Sequence, residues 1–235
     1  TDGENMLRMS EAFFEGRFRE ALGITYHPLF PFLASMLKPV MGVERGAIWV
    51  SMVLGGAAAA PLFLFARDAF GRPAAFIGAL LYAFQPHFVD LQSDVMTEGT
   101  FCFFAFSSAW LGWESIKTPR WDLPVLAGVA AGAAYLTRPE GVLFVVGIPC
   151  WIALSAWRGV RFVRLGTAFL ALIPALLIAY PYLLYARSVT GRWTLSAKGS
   201  VQAVEGSEKR ELDVTRKDGL MEVRRPYREL VGHVL

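Results

Sequence analysis

The chain has 235 residues, of which 54% are hydrophobic and 18% are charged, and its formal net charge is +3. Soluble domains are typically about 25% charged, so this composition argues against an ordinary soluble enzyme. The basic residues lie in short loops between uncharged runs, a distribution that does not indicate a nucleic-acid-binding surface.

The first 45 residues predict two short amphipathic helices that lie along a membrane surface. Met6, Met9 and Phe13 share one face of the first helix. The second has a stripe at helical spacing, formed by Leu29, Phe32, Leu33, Met36, Leu37 and Val40. Neither stripe reaches the roughly 20 apolar residues that cross a bilayer. We expect this pair to hold Asp2 at the mouth of the remaining structure, although Asp2 is also a favourable N-cap for a helix over residues 5–14.

Six uncharged runs follow, and together they predict an all-α polytopic membrane protein. They are Gly46–Ala66, Pro73–Val89, Gly99–Trp113, Leu123–Thr137, Gly141–Trp157 and Leu165–Ala186. Runs shorter than about 20 residues require helices that extend into flanking polar residues, or a locally thinned bilayer. A soluble bundle is disfavoured because soluble helices seldom stay uncharged on all faces. Gly128 and Gly132 form a GxxxG pattern that predicts close helix packing.

The loops after successive spans alternate in charge, which predicts the orientation of the bundle. Seven basic residues follow the first, third and fifth spans: Arg67, Arg72, Lys117, Arg120, Arg158, Arg161 and Arg164. The intervening short loops hold one basic residue, Arg138. By the positive-inside rule, residues 1–45 are an external loop, 46–186 form the six-span bundle, and 187–235 are an external polar tail. We expect strands or loops early in that tail, a charged helix over 226–235, and truncation of the protein at both ends.

Carboxylates gather on the predicted external side, where chemistry would take place. They are Asp2, Glu4, Asp90, Asp94, Glu98 and Glu140. Glu98 opens a helix, so it serves either the helix dipole or a functional role. In the LTRPEG segment, Arg138 and Glu140 form either a local ion pair in a turn or an anion site. Arg138 suits phosphate because its planar fork donates hydrogen bonds in pairs, but an arginine at a span end also snorkels.

In order and spacing, these segments resemble the GT-C superfamily of membrane glycosyltransferases. The acidic first loop is followed by HPLFPFL, by MTE before an aromatic span, and by LTRPEG. The closest similarity is to the bacterial branch akin to dolichyl-phosphate-mannose–protein mannosyltransferases and the lipid A aminoarabinose transferase, and it covers residues 1–199. The resemblance implies a GT-C-like helix bundle with juxtamembrane helices in the first external loop. It also implies a catalytic acidic residue in that loop, which maps to Asp2. Gly3 separates Glu4 from Asp2, whereas family members often have two adjacent acidic residues.

The resemblance implies transfer of a sugar from a polyprenyl-phosphate-linked donor to a protein, lipid or glycan acceptor. Inverting transfer needs a base and a group that stabilises the departing phosphate. Asp2 is the predicted base and Arg138 the predicted phosphate contact, and the predicted substrate-positioning residues are Glu98, His27, Glu140 and Glu4. The site would face outward from the bacterial plasma membrane, and this fragment alone is expected to be inactive. The histidines show no metal-ligand spacing, no cofactor is assigned, and a divalent cation is left open because family members differ in that requirement. No glycine-rich nucleotide loop is found.

A membrane transporter or lipid-binding protein is the main alternative, with the external carboxylates binding a solute. Transporters place ionisable residues near the middle of their spans. The predicted spans hold almost none, which favours the enzyme. A non-catalytic membrane scaffold would leave the acidic first loop unexplained.

Overall fold

The computed structural model describes residues 2–23, 26–92, 94–157 and 162–196, and every regular element in these ranges is helical. The α-helices are α1 Asp2–Phe14, α2 Phe18–Gly23, α3 Leu29–Met41, α4 Val43–Ala57, α5 Ala59–Phe70, α6 Arg72–Phe84, α7 Pro86–Gln92, α8 Glu98–Lys117, α9 Asp122–Thr137, α10 Val142–Trp157 and α11 Phe162–Thr190. A 3₁₀ turn, Pro139–Gly141, separates α9 from α10. The all-helical prediction is therefore confirmed for the described residues, whereas the helix predicted over 226–235 lies outside them.

The N-terminal segment contains the two predicted amphipathic helices, α1 and α3. Met6 on α1 packs in one cluster with Phe30 and Ala34 of α3 and with Val50 of α4. Apolar burial of this kind is the main force that holds such helices together. The short helix α2 occupies what the sequence predicts to be a turn between them.

Helix α3 is apolar on two faces. It buries Phe30 and Ala34 against the rest of the protein, while Phe32, Met36 and Val40 of the predicted stripe are exposed. An outward apolar stripe on a helix of 13 residues suits a helix lying in the membrane interface. Phe32, Met36 and Val40 of the predicted stripe therefore face away from the protein core, whereas Leu33 and Leu37 are partly buried and pack against it.

All six predicted spans coincide with helices, but their lengths differ. Two helical stretches are long and apolar enough to cross a membrane: Val43–Phe70, which joins α4 and α5, and Leu165–Thr190. In each, only 28% of the most apolar window is buried, unlike the core helix of a soluble protein. Helix α6 has 13 residues and is about 20 Å long, short of a hydrocarbon core of about 30 Å. The six-span topology thus stays a prediction.

Glycines allow the helices of the bundle to approach closely. A Cβ atom on Gly128 would lie 2.0 Å from the backbone oxygen of Ala171, and one on Gly132 would lie 2.8 Å from Cβ of Ile178. The GxxxG pattern therefore packs α9 against α11, as predicted from the sequence.

Helix α8 has charged side chains that contact other helices or turns at both of its ends. Lys117, in its last turn, donates to the Asp68 carboxylate at the end of α5 over 3.2 Å. Glu98 opens the same helix, and 20 residues of α-helix span about 30 Å. Two predicted cytoplasmic loops are therefore neighbours, and they lie at the end of α8 opposite Glu98.

Candidate functional site

A tight turn positions Arg138 at the end of α9. Arg138 is extended, with φ −150° and ψ 147°, and its carbonyl accepts a hydrogen bond from the Gly141 N–H over 3.0 Å. A Cβ atom on Gly141 would lie 2.2 Å from the backbone nitrogen of Tyr135. Because no larger residue fits there, Gly141 lets the turn fold back onto α9 and fixes the direction in which Arg138 leaves the helix.

The guanidinium of Arg138 lies between two carboxylates. Its Nη1 contacts Oε1 of Glu98 on α8, and its Nε lies 3.3 Å from Oε2 of Glu140 in the same turn. The local pair with Glu140 was one of the two sequence interpretations, whereas the contact with Glu98 across 40 residues was not predicted. Together the three side chains carry one net negative charge.

Partial burial and the neighbouring charges of this trio shift the pKa values of Arg138 and Glu140. Burial lowers the pKa of Arg138, but its hydrogen bond to Glu140 and the charge of Glu98 more than offset this effect, so the pKa is raised. Burial raises the pKa of Glu140, and its backbone N–H together with Arg138 reverses the direction and lowers it. Both groups are therefore held in their charged forms.

Glu98 has one carboxylate oxygen in contact with Arg138 and a second that is buried. Within the described residues, no hydrogen-bond partner reaches that second oxygen, Oε2. A buried acceptor without a partner is energetically costly. Glu98 is therefore held by Arg138 but not fully satisfied by it.

His27 lies against the same end of the bundle and is only 5% exposed. Its ring centroid is 4.5 Å from that of Tyr182 and 5.4 Å from that of Tyr135. Burial lowers the pKa of His27 to about 4, and the charges of Glu140 and Arg138 act on it in opposite directions. His27 is therefore neutral at pH 7, and its Nε2 has no partner among the described residues.

Tyrosines of α9 and α11 donate hydrogen bonds to two segments that lie outside the long helices, one after α11 and one in α2. The Tyr135 hydroxyl donates to the carbonyl of Leu195, beyond the end of α11, over 2.9 Å. The Tyr185 hydroxyl donates to the carbonyl of Leu22 in α2 over 2.6 Å. Sequence reasoning missed these tyrosines. Their clustering at predicted span ends was the available signal, because tyrosine favours membrane interfaces.

Asp2 is exposed in the first turn of α1, so the alternative that it caps a helix beginning at Asn5 is wrong. Its Oδ1 accepts a hydrogen bond from the Tyr26 hydroxyl over 2.7 Å. Because Tyr26 directly precedes His27, this hydrogen bond links Asp2 to the buried His27. Glu4 instead forms an exposed ion pair with Arg8, with a distance of 2.7 Å.

Four of the six predicted site residues therefore lie together: His27, Glu98, Arg138 and Glu140. Asp2 is connected to them through the neighbouring Tyr26, and Glu4 is engaged on the exposed side of α1. In the part of the chain that the structure describes, no three His, Cys, Asp or Glu side chains are grouped so as to hold a metal ion.

Comparison with known proteins gives one match. The family model described as dolichyl-phosphate-mannose-protein mannosyltransferase matches residues 26–185, about two thirds of the chain. The matched region contains His27, Glu98, Arg138 and Glu140, whereas Asp2 and Glu4 precede it. No curated protein and no solved structure matches the chain.

Proposed function

Because the chain belongs to the dolichyl-phosphate-mannose-protein mannosyltransferase family, we propose that it transfers a sugar from a polyprenyl-phosphate donor at the outer face of a membrane. Membership implies glycosyltransferase activity of the GT-C kind and an integral membrane protein. The donor, the membrane face and the residue roles below are our proposal. The acceptor is a hydroxyl of a protein, lipid or glycan.

Arg138 binds the donor phosphate in this proposal. When the bond between the sugar C1 and the phosphate oxygen breaks, the phosphodiester becomes a phosphate monoester and gains negative charge. A guanidinium stabilises that charge with paired hydrogen bonds. Arg138 suits this role because a glycine-dependent turn fixes its backbone and because it is only partly exposed.

Asp2 acts as the base that takes the proton of the acceptor hydroxyl as its oxygen attacks C1. Its carboxylate is exposed to the outer side and is oriented by the Tyr26 hydroxyl. A base must lie within hydrogen-bond reach of the proton that it removes, and orientation by a neighbour helps to secure this. The proton then resides on Asp2, and the negative charge on the departing phosphate beside Arg138.

The observation that carries the proposal is the arrangement of Arg138, Glu98, Glu140 and His27 at one end of the bundle, inside the region matched by the family. The test is sugar transfer by the full-length protein reconstituted in nanodiscs, with a polyprenyl-phosphate sugar and, separately, a nucleotide sugar as donor. We expect release of polyprenyl phosphate from the first donor and no transfer from the second. Transfer from the nucleotide sugar alone would overturn the proposal.

A further inference from the structure

The trio of Glu98, Arg138 and Glu140 carries a net negative charge, which is unfavourable for binding an anion. Like charges within a few ångströms of each other repel strongly in partly buried surroundings. A phosphate that approaches Arg138 therefore meets repulsion from both carboxylates. If Arg138 binds phosphate, as the proposed function requires, one of the two carboxylates has to move away from the guanidinium.

We infer that Glu98 is an internal competitor of the donor phosphate, occupying a terminal nitrogen of Arg138 and leaving it when the phosphate binds. This inference rests on the proposed function and assigns a role to Glu98 in it. Glu98 contacts Nη1, one of the nitrogens that a phosphate uses in forked binding. It comes from α8, 40 residues earlier in the chain, so it can separate from Arg138 without rearranging the 138–141 turn.

Glu140 is less suited to this role. It lies on the Nε side of the guanidinium at 3.3 Å, and its side chain is 54% exposed, compared with 28% for Glu98. As a neighbour in the same turn, Glu140 remains close to Arg138 in any case. Exposed ion pairs contribute little because water screens them.

The position of Glu98 in the structure favours a carboxylate even when it is not paired with Arg138. It lies in the first turn of α8, where the helix dipole favours a carboxylate. Its Oε2 lacks a partner among the described residues, so the present contact satisfies only half of the carboxylate. The cost of exchanging Glu98 for phosphate is therefore smaller than for a carboxylate with every hydrogen bond made.

Competition of this kind would help release the product. The product phosphate monoester carries more negative charge than the donor diester, so Arg138 alone would hold the product more tightly than the donor. A carboxylate that returns to Nη1 offsets this difference. Removing Glu98 should therefore tighten product binding and slow its release.

The test measures binding of farnesyl phosphate, a short polyprenyl phosphate, to the full chain in detergent by calorimetry. Glu98→Gln should bind it about tenfold more tightly than the wild type, which corresponds to about 1.4 kcal/mol. Glu44→Gln is the control, since Glu44 likewise lies in the first turn of a helix but is exposed, and it should leave affinity unchanged. Inorganic phosphate and neutral farnesol separate the contributions of the charge and of the lipid chain.

Two further arms make the inference falsifiable. Glu98→Ala should also tighten binding, and it serves as a second test in case the glutamine variant alone has a folding defect. In turnover, both variants should show a lower kcat and stronger inhibition by added farnesyl phosphate. Unchanged or weaker phosphate binding in both variants would overturn the inference. Absence of sugar transfer, with the affinity ranking intact, would overturn only the proposed function.

Discussion

The imidazole of His27 is packed against the phenol of Tyr182, with 4.5 Å between their ring centroids. His27 lies just before α3 and Tyr182 lies in the last described helix, so this contact joins distant parts of the sequence. The Tyr135 ring centroid is 5.4 Å from that of the imidazole and 6.0 Å from that of Tyr182, so the three rings form one cluster, and the Tyr135 hydroxyl donates to the carbonyl of Leu195. His27 is thus a structural centre of the candidate site as well as a predicted substrate-positioning residue.

The buried His27 should make stability depend on pH. Its pKa is about 4 in the folded protein and 6.5 when exposed, so the unfolded chain binds more protons between these values. The stability contributed by neutral His27 is fully present above pH 6.5 and falls as the pH drops towards 4, by about 3 kcal/mol. The charge of Glu140 raises the pKa of His27 and that of Arg138 lowers it.

The measurement is the thermal midpoint of the protein in detergent from pH 7.5 to 4.5. His27→Gln should lower the midpoint at pH 7.5 and flatten its dependence on pH. His87→Gln, at an exposed histidine of α7, should leave the wild-type dependence in place. An equally steep profile in His27→Gln would assign the dependence to other groups.

Arg138→Lys should weaken use of the donor. Lysine keeps the charge, but its ammonium cannot reproduce the planar fork that contacts Glu98 and Glu140 on different nitrogens. We expect kcat/KM for the lipid-linked donor to fall by about 10²-fold, as expected when one stabilising donor is lost. Arg45→Lys, at an exposed arginine early in α4, is the matched control. Unchanged turnover at limiting donor would mean that Arg138 only anchors the helix end.

The sequence was informative wherever a local pattern determines structure. Uncharged runs predicted helical regions, although only two described helical stretches are long and apolar enough to cross a membrane, and the LTRPEG segment predicted a turn that presents Arg138. The pairing of Arg138 with Glu98 could not be predicted, because it depends on how α8 and α9 pack over 40 residues. The clustering of His27 with Tyr135 and Tyr182 depends in the same way on tertiary packing.

Gly128→Ala should destabilise the bundle. The added methyl group would lie 2.0 Å from the carbonyl oxygen of Ala171, so α9 and α11 would have to separate. Overpacking of this kind costs roughly 1–3 kcal/mol. Gly147→Ala on α10 is the matched control, because a Cβ atom there meets nothing within 4 Å and alanine favours helix. Thermal melts of both variants measure the difference, and equal midpoints would contradict close α9–α11 packing.

The predicted orientation can be tested by labelling single cysteines in a background that lacks Cys102 and Cys150. Arg19→Cys on α2 should react with an impermeant thiol reagent added outside intact cells. Arg120→Cys, in the loop between α8 and α9, should not. Both side chains are exposed, so a cysteine at either position is accessible to the reagent. Labelling of position 120 from outside would reverse the orientation and move the candidate site to the cytoplasmic face.

Asp2 is the proposed catalytic base, and the substitution Asp2→Asn separates a catalytic role of this carboxylate from a structural one. Asp2→Asn retains an oxygen that can accept the hydrogen bond from Tyr26, so α1 should stay attached and the melting temperature should change little. Asparagine cannot take the acceptor proton, so transfer should fall by roughly 10²–10⁴-fold.

Two comparison variants make this result specific. Tyr26→Phe removes the orienting hydroxyl but keeps the carboxylate, so it should lower kcat less than Asp2→Asn does. Glu4→Gln breaks the exposed pair with Arg8, which is worth little, and should leave transfer close to wild type. If Asp2→Asn folds normally and transfers at the original rate, Asp2 is not the base. Glu98, whose second carboxylate oxygen has no partner among the described residues, would then be the next carboxylate to test as base.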